Sequence, residues 1–157
     1  MIEDWIDAIA KAWGGMIDPK GRNVRSYYAF TKAEFPESIT EFPSCLTYPE
    51  SVRGNIGGDS GPQILFWRGK TEFHLCPDAN KAQLPYVMRM FGKIISAAVG
   101  VRTLGGLVNH FGLLTMEAGN LIDGPVVLRY GEENGHWGLI ANWSVKEEVG
   151  DELTLGL

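Results

Sequence analysis

The sequence is poor in cysteine and histidine, with two of the first (Cys45, Cys76) and three of the second. The cysteines make no CxxC pair and no disulfide framework. Each is read as a buried structural thiol in a protein made in a reducing cytoplasm. His74, His110 and His136 are scattered and fall in no HxxxH, HExxH or Cys/His ligand spacing, so no metal is expected and each reads as a solvated or structural histidine. Apolar runs are short. None approaches the ~20 residues that span a bilayer, and Arg89 and Lys93 interrupt the best candidate. The opening MIEDWIDAIAKAWGG carries acids where a signal peptide would carry basic residues, so no export signal is expected. Basic charge is also scarce. Fourteen Lys and Arg face nineteen Asp and Glu, a net charge of −5, which disfavours phosphate binding as the main activity.

Catalytic constellations are absent as well. Gly58-Asp59-Ser60-Gly61-Pro62 resembles the nucleophile segment of chymotrypsin-like proteases, but a glycine is missing and all three histidines follow Ser60. It is not GxSxG at a strand-to-helix turn either, so a serine hydrolase is not expected. The same loop has no GxxxxGK[ST] or GxGxxG and leads into a strand, so it does not cradle a phosphate. The acidic pairs Glu132-Glu133, Glu147-Glu148 and Asp151-Glu152 lie in turns, strands or the tail. Adjacent residues of a strand point to opposite faces, so such pairs are not acid/base couples. No enzyme, no cofactor and no sequence-specific nucleic-acid binding is expected.

Turn formers and aromatics are abundant. Twenty glycines and eight prolines in 157 residues indicate a turn-rich, strand-rich domain. Two segments have helical periodicity. Ile2, Trp5, Ile6, Ile9 and Trp13 form one stripe, ended by Gly14-Gly15. In Asn80–Gly100, Leu84, Val87, Met88, Phe91, Ile94, Ile95 and Ala98 share a face opposite Ala82, Arg89, Lys93 and Ser96. Asn80 and Gln83 suit its start, and Gly100 a left-handed stop. Strands are predicted at Val24–Phe30, Ser44–Tyr48, Gln63–Arg68, Thr71–Cys76, Leu107–Met116, Pro125–Tyr130 and His136–Val145. A tight turn is expected at Arg68-Gly69-Lys70, and a long mobile loop over Pro49–Pro62. In the last strand Trp137, Leu139, Ala141, Trp143 and Val145 share a face. The fold class is α+β, a mainly antiparallel β-sheet with two helices on one face in the order α-β-β-β-β-α-β-β-β. One domain covers residues 1–148, followed by an acidic tail at 149–157. Trp5, Trp13, Trp67, Trp137 and Trp143, with Tyr27, Tyr28 and Phe73, read as core residues rather than base-stacking platforms.

This layout resembles the small tail-terminator (tail-completion, minor tail) proteins of long-tailed bacteriophages and prophages. The resemblance runs over residues 1–148. It is carried by IEDWIDAIAKAW leading into VRSYYAF, the connection EFPESITEFPSCLTYPE, the hairpin FWRGKTEFHL, the long helix with its VRTLGG exit, and the closing strand GHWGLIANWSV. It implies a structural protein that forms a ring, usually a hexamer, on the finished tail tube, stops its growth and offers the head-joining surface. The implied partners are further copies, the tube protein and a head-completion protein, met in the host cytoplasm and then in the virion tail. No catalytic residue is implied. Irregular segments are the natural ring contacts, which singles out Arg53, Asn55 and Asp59 in the 49–62 loop and Glu117, Asn120 and Asp123 in the 117–124 connection. Another head–tail connector or neck protein is the nearest alternative. A small-ligand module with an aromatic pocket at Trp67, Phe73 and Trp143 is a different one.

Overall fold

The computed structural model describes residues 2–36, 38–56, 63–113, 122–129 and 135–149. In chain order these form α1 (Ile2–Gly14), β1 (Arg25–Tyr28), β2 (Ser44–Ile56), β3 (Gln63–Cys76), α2 (Leu84–Val99), β4 (His110–Leu113), β5 (Ile122–Leu128) and β6 (His136–Val149). The fold is α+β, as expected. Six strands make one sheet in the order β1-β2-β3-β6-β4, and β5 also pairs with β6. Among the described strands only the β1–β2 pair is parallel. β4 pairs with Trp143–Lys146 and β5 with His136–Ala141, so the two lie end to end along one edge of β6.

The count of strands differs from the sequence reading at Gly69. No turn forms there, and β3 runs unbroken from Gln63 to Cys76. Gly69 faces Trp143 across the β3–β6 pair, and a Cβ at Gly69 would collide with the Trp143 ring and lie 2.6 Å from the Tyr48 carbonyl oxygen. The glycine marks a crossing indole rather than a turn. The long loop is also corrected. β2 continues past Tyr48 to Ile56, with a register shift between Pro49 and Ser51 that absorbs the proline. Residues 57–62 lie outside the described residues, as does the acidic tail from 150. The expected 107–116 strand starts later, at His110, because turns and bends occupy 101–109, and 114–116 lie outside the described residues.

Both helices cover the same face of the sheet. Trp5, Ile6, Ile9 and Trp13 of α1, and Val87, Met90, Ile94 and Ala98 of α2, join Cys45, Phe73, Leu75, Leu139, Ala141, Trp143 and Val145 in one core. The α1 stripe is the one read from the sequence. The α2 stripe is turned about its axis. Tyr86 and Met90 are buried, whereas Met88 and Ile95 are 54% and 41% exposed and Val99 is 54% exposed. The helix is apolar over a wider arc than the sheet can cover, and a hydrogen bond draws Tyr86 inward. Its ends differ too. Asn80 caps a short 3-10 turn through the Ala82 amide (2.9 Å). Gly100 is right-handed at φ −71°, and the left-handed residues come later, at Leu104, Gly105 and Gly106.

That inward hydrogen bond belongs to Asp18, which is 2% exposed. Asp18 accepts from the Tyr86 hydroxyl (2.6 Å), the Arg22 amide (2.6 Å), Arg22 Nε (3.0 Å) and the Lys20 amide (3.1 Å). Burial alone would raise its carboxyl pKa; the bonds from Tyr86 and Arg22 outweigh it and hold the group below the ordinary aspartate value. A depressed carboxylate contributes stability that is present above its unfolded pKa and lost as pH falls through the folded one. Asp18→Asn is therefore expected to flatten the acid limb of stability below about pH 4, and to cost about 1–3 kcal/mol at neutral pH. Urea unfolding midpoints from pH 7 to 2.5 check this, and an acid limb unchanged in the variant would remove Asp18 as its source.

The opposite face of the sheet is covered by the 29–43 connection. Ala29, Phe35 and Ile39, with Phe42 beside them, pack on Leu46 and Tyr48 as a second small core. The crossover is what the parallel β1–β2 pair requires, since two parallel neighbours need a connection that passes over a face.

Candidate functional site

Three regions carry chemistry-bearing or unpartnered side chains: a buried polar chain, a groove beside α1, and the exposed rims of β2 and α2. The buried chain lies on the connection-covered face. The Tyr48 hydroxyl donates to Glu72 Oε2 (2.6 Å), Glu72 Oε1 is 3.4 Å from His74 Nε2, and His74 Nδ1 is 3.0 Å from His136 Nδ1. The Phe42 ring stands edge-on to His136 at 4.9 Å. Two imidazole Nδ1 atoms at that distance share one proton. One of the two imidazoles donates and the other accepts, according to tautomer. Tyr48 is pushed upward, by burial first and by Glu72 second, and stays a neutral donor.

His74 and His136 are 0% and 3% exposed, so the solvated reading of these two histidines is overturned and the structural one stands; His110 is exposed. The period-2 pattern did place His74 opposite Phe73 and Leu75. It could not show that the 29–43 connection closes over that face. The chain of polar groups is sealed from substrate and acts as a structural link between β2, β3 and β6. Among the described residues no three His, Cys, Asp or Glu side chains are grouped to hold a metal ion. Cys45 and Cys76 are both buried free thiols, with burial pushing Cys45 up to about 12.

The groove is open, about 830 Å³, and runs between α1 and β1 past Asp7, Lys11, Arg25, Tyr27, Tyr28 and Glu41. Its charges are balanced: Lys11 pairs with Asp7 at 2.8 Å and Arg25 with Glu41 at 3.6 Å. It has no nucleophile–base couple. The pocket expected at Trp67, Phe73 and Trp143 is filled by α1. Trp5 meets Trp67 at 5.4 Å and Trp143 at 6.0 Å, and Trp13 meets Phe73 at 5.4 Å, all edge-to-face.

Of the predicted contact residues, Arg53 is exposed on β2 with its guanidinium over the Phe66 ring (5.7 Å). Asn55 lies in the same strand. Asp123 is in β5 and accepts from Asn142 Nδ2 at 3.0 Å, so it belongs to a strand rather than to an irregular connection. Asp59, Glu117 and Asn120 lie outside the described residues. Arg53 and Asp123 are not brought together. Their lanes cross β3 at Phe66 and Glu72, about 20 Å apart along the strands.

The free rim of β2 is the clearer surface. β1 pairs with it only along Ser44–Thr47. From Ser51 onward β2 has β3 on one side and, among the described residues, no strand on the other. Residues 51–54 are all exposed, Val52 at 50%. Among the described residues no helix is long and apolar enough to cross a membrane. Compared with known protein families and with curated proteins, the sequence matches no family model and no curated protein at a significant level.

Proposed function

We propose that the chain is a structural phage tail protein of the tail-terminator kind, which assembles as a ring on the end of the tail tube, terminates its growth and presents a head-joining surface. The observation that carries this reading is the outer half of β2, which has no second strand partner among the described residues and where Val52 and Arg53 stand exposed. An open edge offers backbone donors and acceptors to another chain, and a ring needs such a heterologous contact on every subunit. The α+β order of helix, strands, helix and closing hairpin supports the same reading. So does the placement of the aromatics, which build a core rather than a ligand pocket. The net charge of −5 would keep a DNA-passing lumen from gripping the duplex. Another connector of the head–tail joint would use the same edge.

The test is assembly. Sedimentation and negative-stain microscopy of the wild-type chain, alone and with tail tubes, are expected to show closed rings. The double variant Val52→Lys, Arg53→Glu is expected to weaken self-association at least tenfold. Its unfolding free energy should stay within about 0.5 kcal/mol of wild type, as exposed substitutions do. A wild-type chain that stays monomeric in both settings would sink the proposal.

A further inference from the structure

His74 and His136 meet through like atoms, Nδ1 to Nδ1 at 3.0 Å, where the two residues are 0% and 3% exposed. The pair has four ring nitrogens. Neutral, it carries two protons, one of them between the Nδ1 atoms. A third proton leaves that contact intact, because a doubly protonated ring still donates through Nδ1 to a neutral one. With His74 as the cation, the charge faces Glu72 Oε1, 3.4 Å from its Nε2. A fourth proton does not fit. Both Nδ1 atoms would then be donors, setting two hydrogens and two like charges across the same 3.0 Å. Among the described residues, Glu72 is the ionisable group that faces the pair from β3, and Tyr48 of β2 donates to that same carboxylate (2.6 Å). Glu41, beside Phe42 in the connection, is turned to Arg25 at 3.6 Å, and Arg129 after β5 is exposed.

We infer that the His74–His136 contact is a proton-counting latch for the 29–43 connection, closed while at most one of the two rings is charged and open when both are. His136 is the part that moves. His74 is held between Ser44 of β2 and Gly138 of β6, whereas His136 is the first residue of β6. The Phe42 ring stands edge-on to His136 at 4.9 Å, so an imidazole that swings out displaces the end of the connection. Phe42 packs with Phe35 and Ile39 on Leu46 and Tyr48, and this second small core is what comes open. Proton uptake is thereby coupled to the uncovering of apolar surface on β2. The sign follows from the proton count. The closed state holds at most three protons and the open one four, so closure weakens as pH falls, by up to about tenfold per pH unit. Histidines charge between about pH 8 and 5, above the acid limb assigned to Asp18. The latch is independent of the ring reading.

The experiment uses the full chain and follows amide hydrogen exchange from about pH 8 to 5, corrected for the intrinsic pH dependence of exchange. Protection of the 29–43 amides is expected to fall at least ~tenfold across that range, while protection of α2 holds within about twofold. His136→Gln keeps a side chain that can bond to His74 Nδ1 but takes up no proton. Its 29–43 protection is expected to change by less than about threefold over the same range. No fall in the wild-type chain, an equal fall in the variant, or a fall shared by α2 overturns the inference. A second measurement needs no variant. Ring 15N shifts of the wild-type histidines report which nitrogens carry protons. Nuclear Overhauser contacts between Phe42 and His136 are expected to vanish as both Nδ1 atoms become protonated. Two fully protonated rings with those contacts intact would overturn the latch as well.

Discussion

Gly69→Ala is expected to lower the melting temperature by roughly 6–12 °C, as a cost of about 3 kcal/mol does in a domain of this size. β3 is an interior strand at Gly69, so its backbone cannot swing outward to make room. The added methyl would meet the Trp143 benzo ring on one side and the Tyr48 carbonyl on the other. Trp143 is fully buried, edge-on to Trp5 and tilted against Phe111, and interiors at crystal-like density have no room to pass a displaced ring along. Trp143→Phe removes the ring atoms that collide but leaves the carbonyl. The double variant should therefore recover part of the loss relative to the sum of the singles, a coupling readable in a thermal double-mutant cycle. Additive effects would mean that the Gly69–Trp143 approach does not set the fit.

Thr71→Val should be as damaging, for a polar reason. Thr71 Oγ1 accepts the indole N–H of Trp13 (3.0 Å) and of Trp143 (3.2 Å), and lies 2.9 Å from Thr47 Oγ1. Both lone pairs are taken by the indoles, so the Thr71 proton goes to Thr47. One fully buried hydroxyl thus joins α1, β2, β3 and β6. Valine keeps the shape and removes every bond, stranding two indole donors at about 1–3 kcal/mol each. A loss of at least ~3 kcal/mol is expected in urea unfolding, against less than ~1 kcal/mol for Thr71→Ser, which keeps the hydroxyl. Equal stability of the two variants would show that the hub contributes nothing.

What was legible in the sequence follows from the range of the interactions involved. The α1 stripe, the shared face of β6 and the closing hairpin are local periodicities, and all three are present. The Gly69 error has the opposite origin. A glycine between two apolar runs has the same local signature whether it turns the chain or admits an indole from β6, and only the partner strand distinguishes them. The helix face of α2 was half misread because its apolar arc is wider than its contact, and Asp18, whose bond turns Tyr86 inward, lies 68 positions away. The buried Glu72–His74–His136 chain was not found for the same reason. The cover that makes its face interior comes from the 29–43 connection, which reads as an irregular, proline-punctuated segment. Of the predicted contacts, Arg53 stands on an edge that no described strand pairs, because it lies beyond the reach of β1, a relation set by strand lengths rather than by any motif.

The position of β6 has a consequence for synthesis. It is the last of the described strands along the chain, yet it sits in the interior of the sheet between β3 and both β4 and β5. β2 and β3 can close as a neighbouring hairpin as soon as they are made. The other side of β3 must wait for the 73 residues from Cys76 to Val149, about 4–15 s at bacterial or eukaryotic ribosome speeds. Through that interval the nascent chain holds a long β3 edge with Phe73 and Leu75 uncovered on their β6 side, an open template at the centre of the future sheet. The stage most exposed to mispairing is therefore the wait for the last described strand.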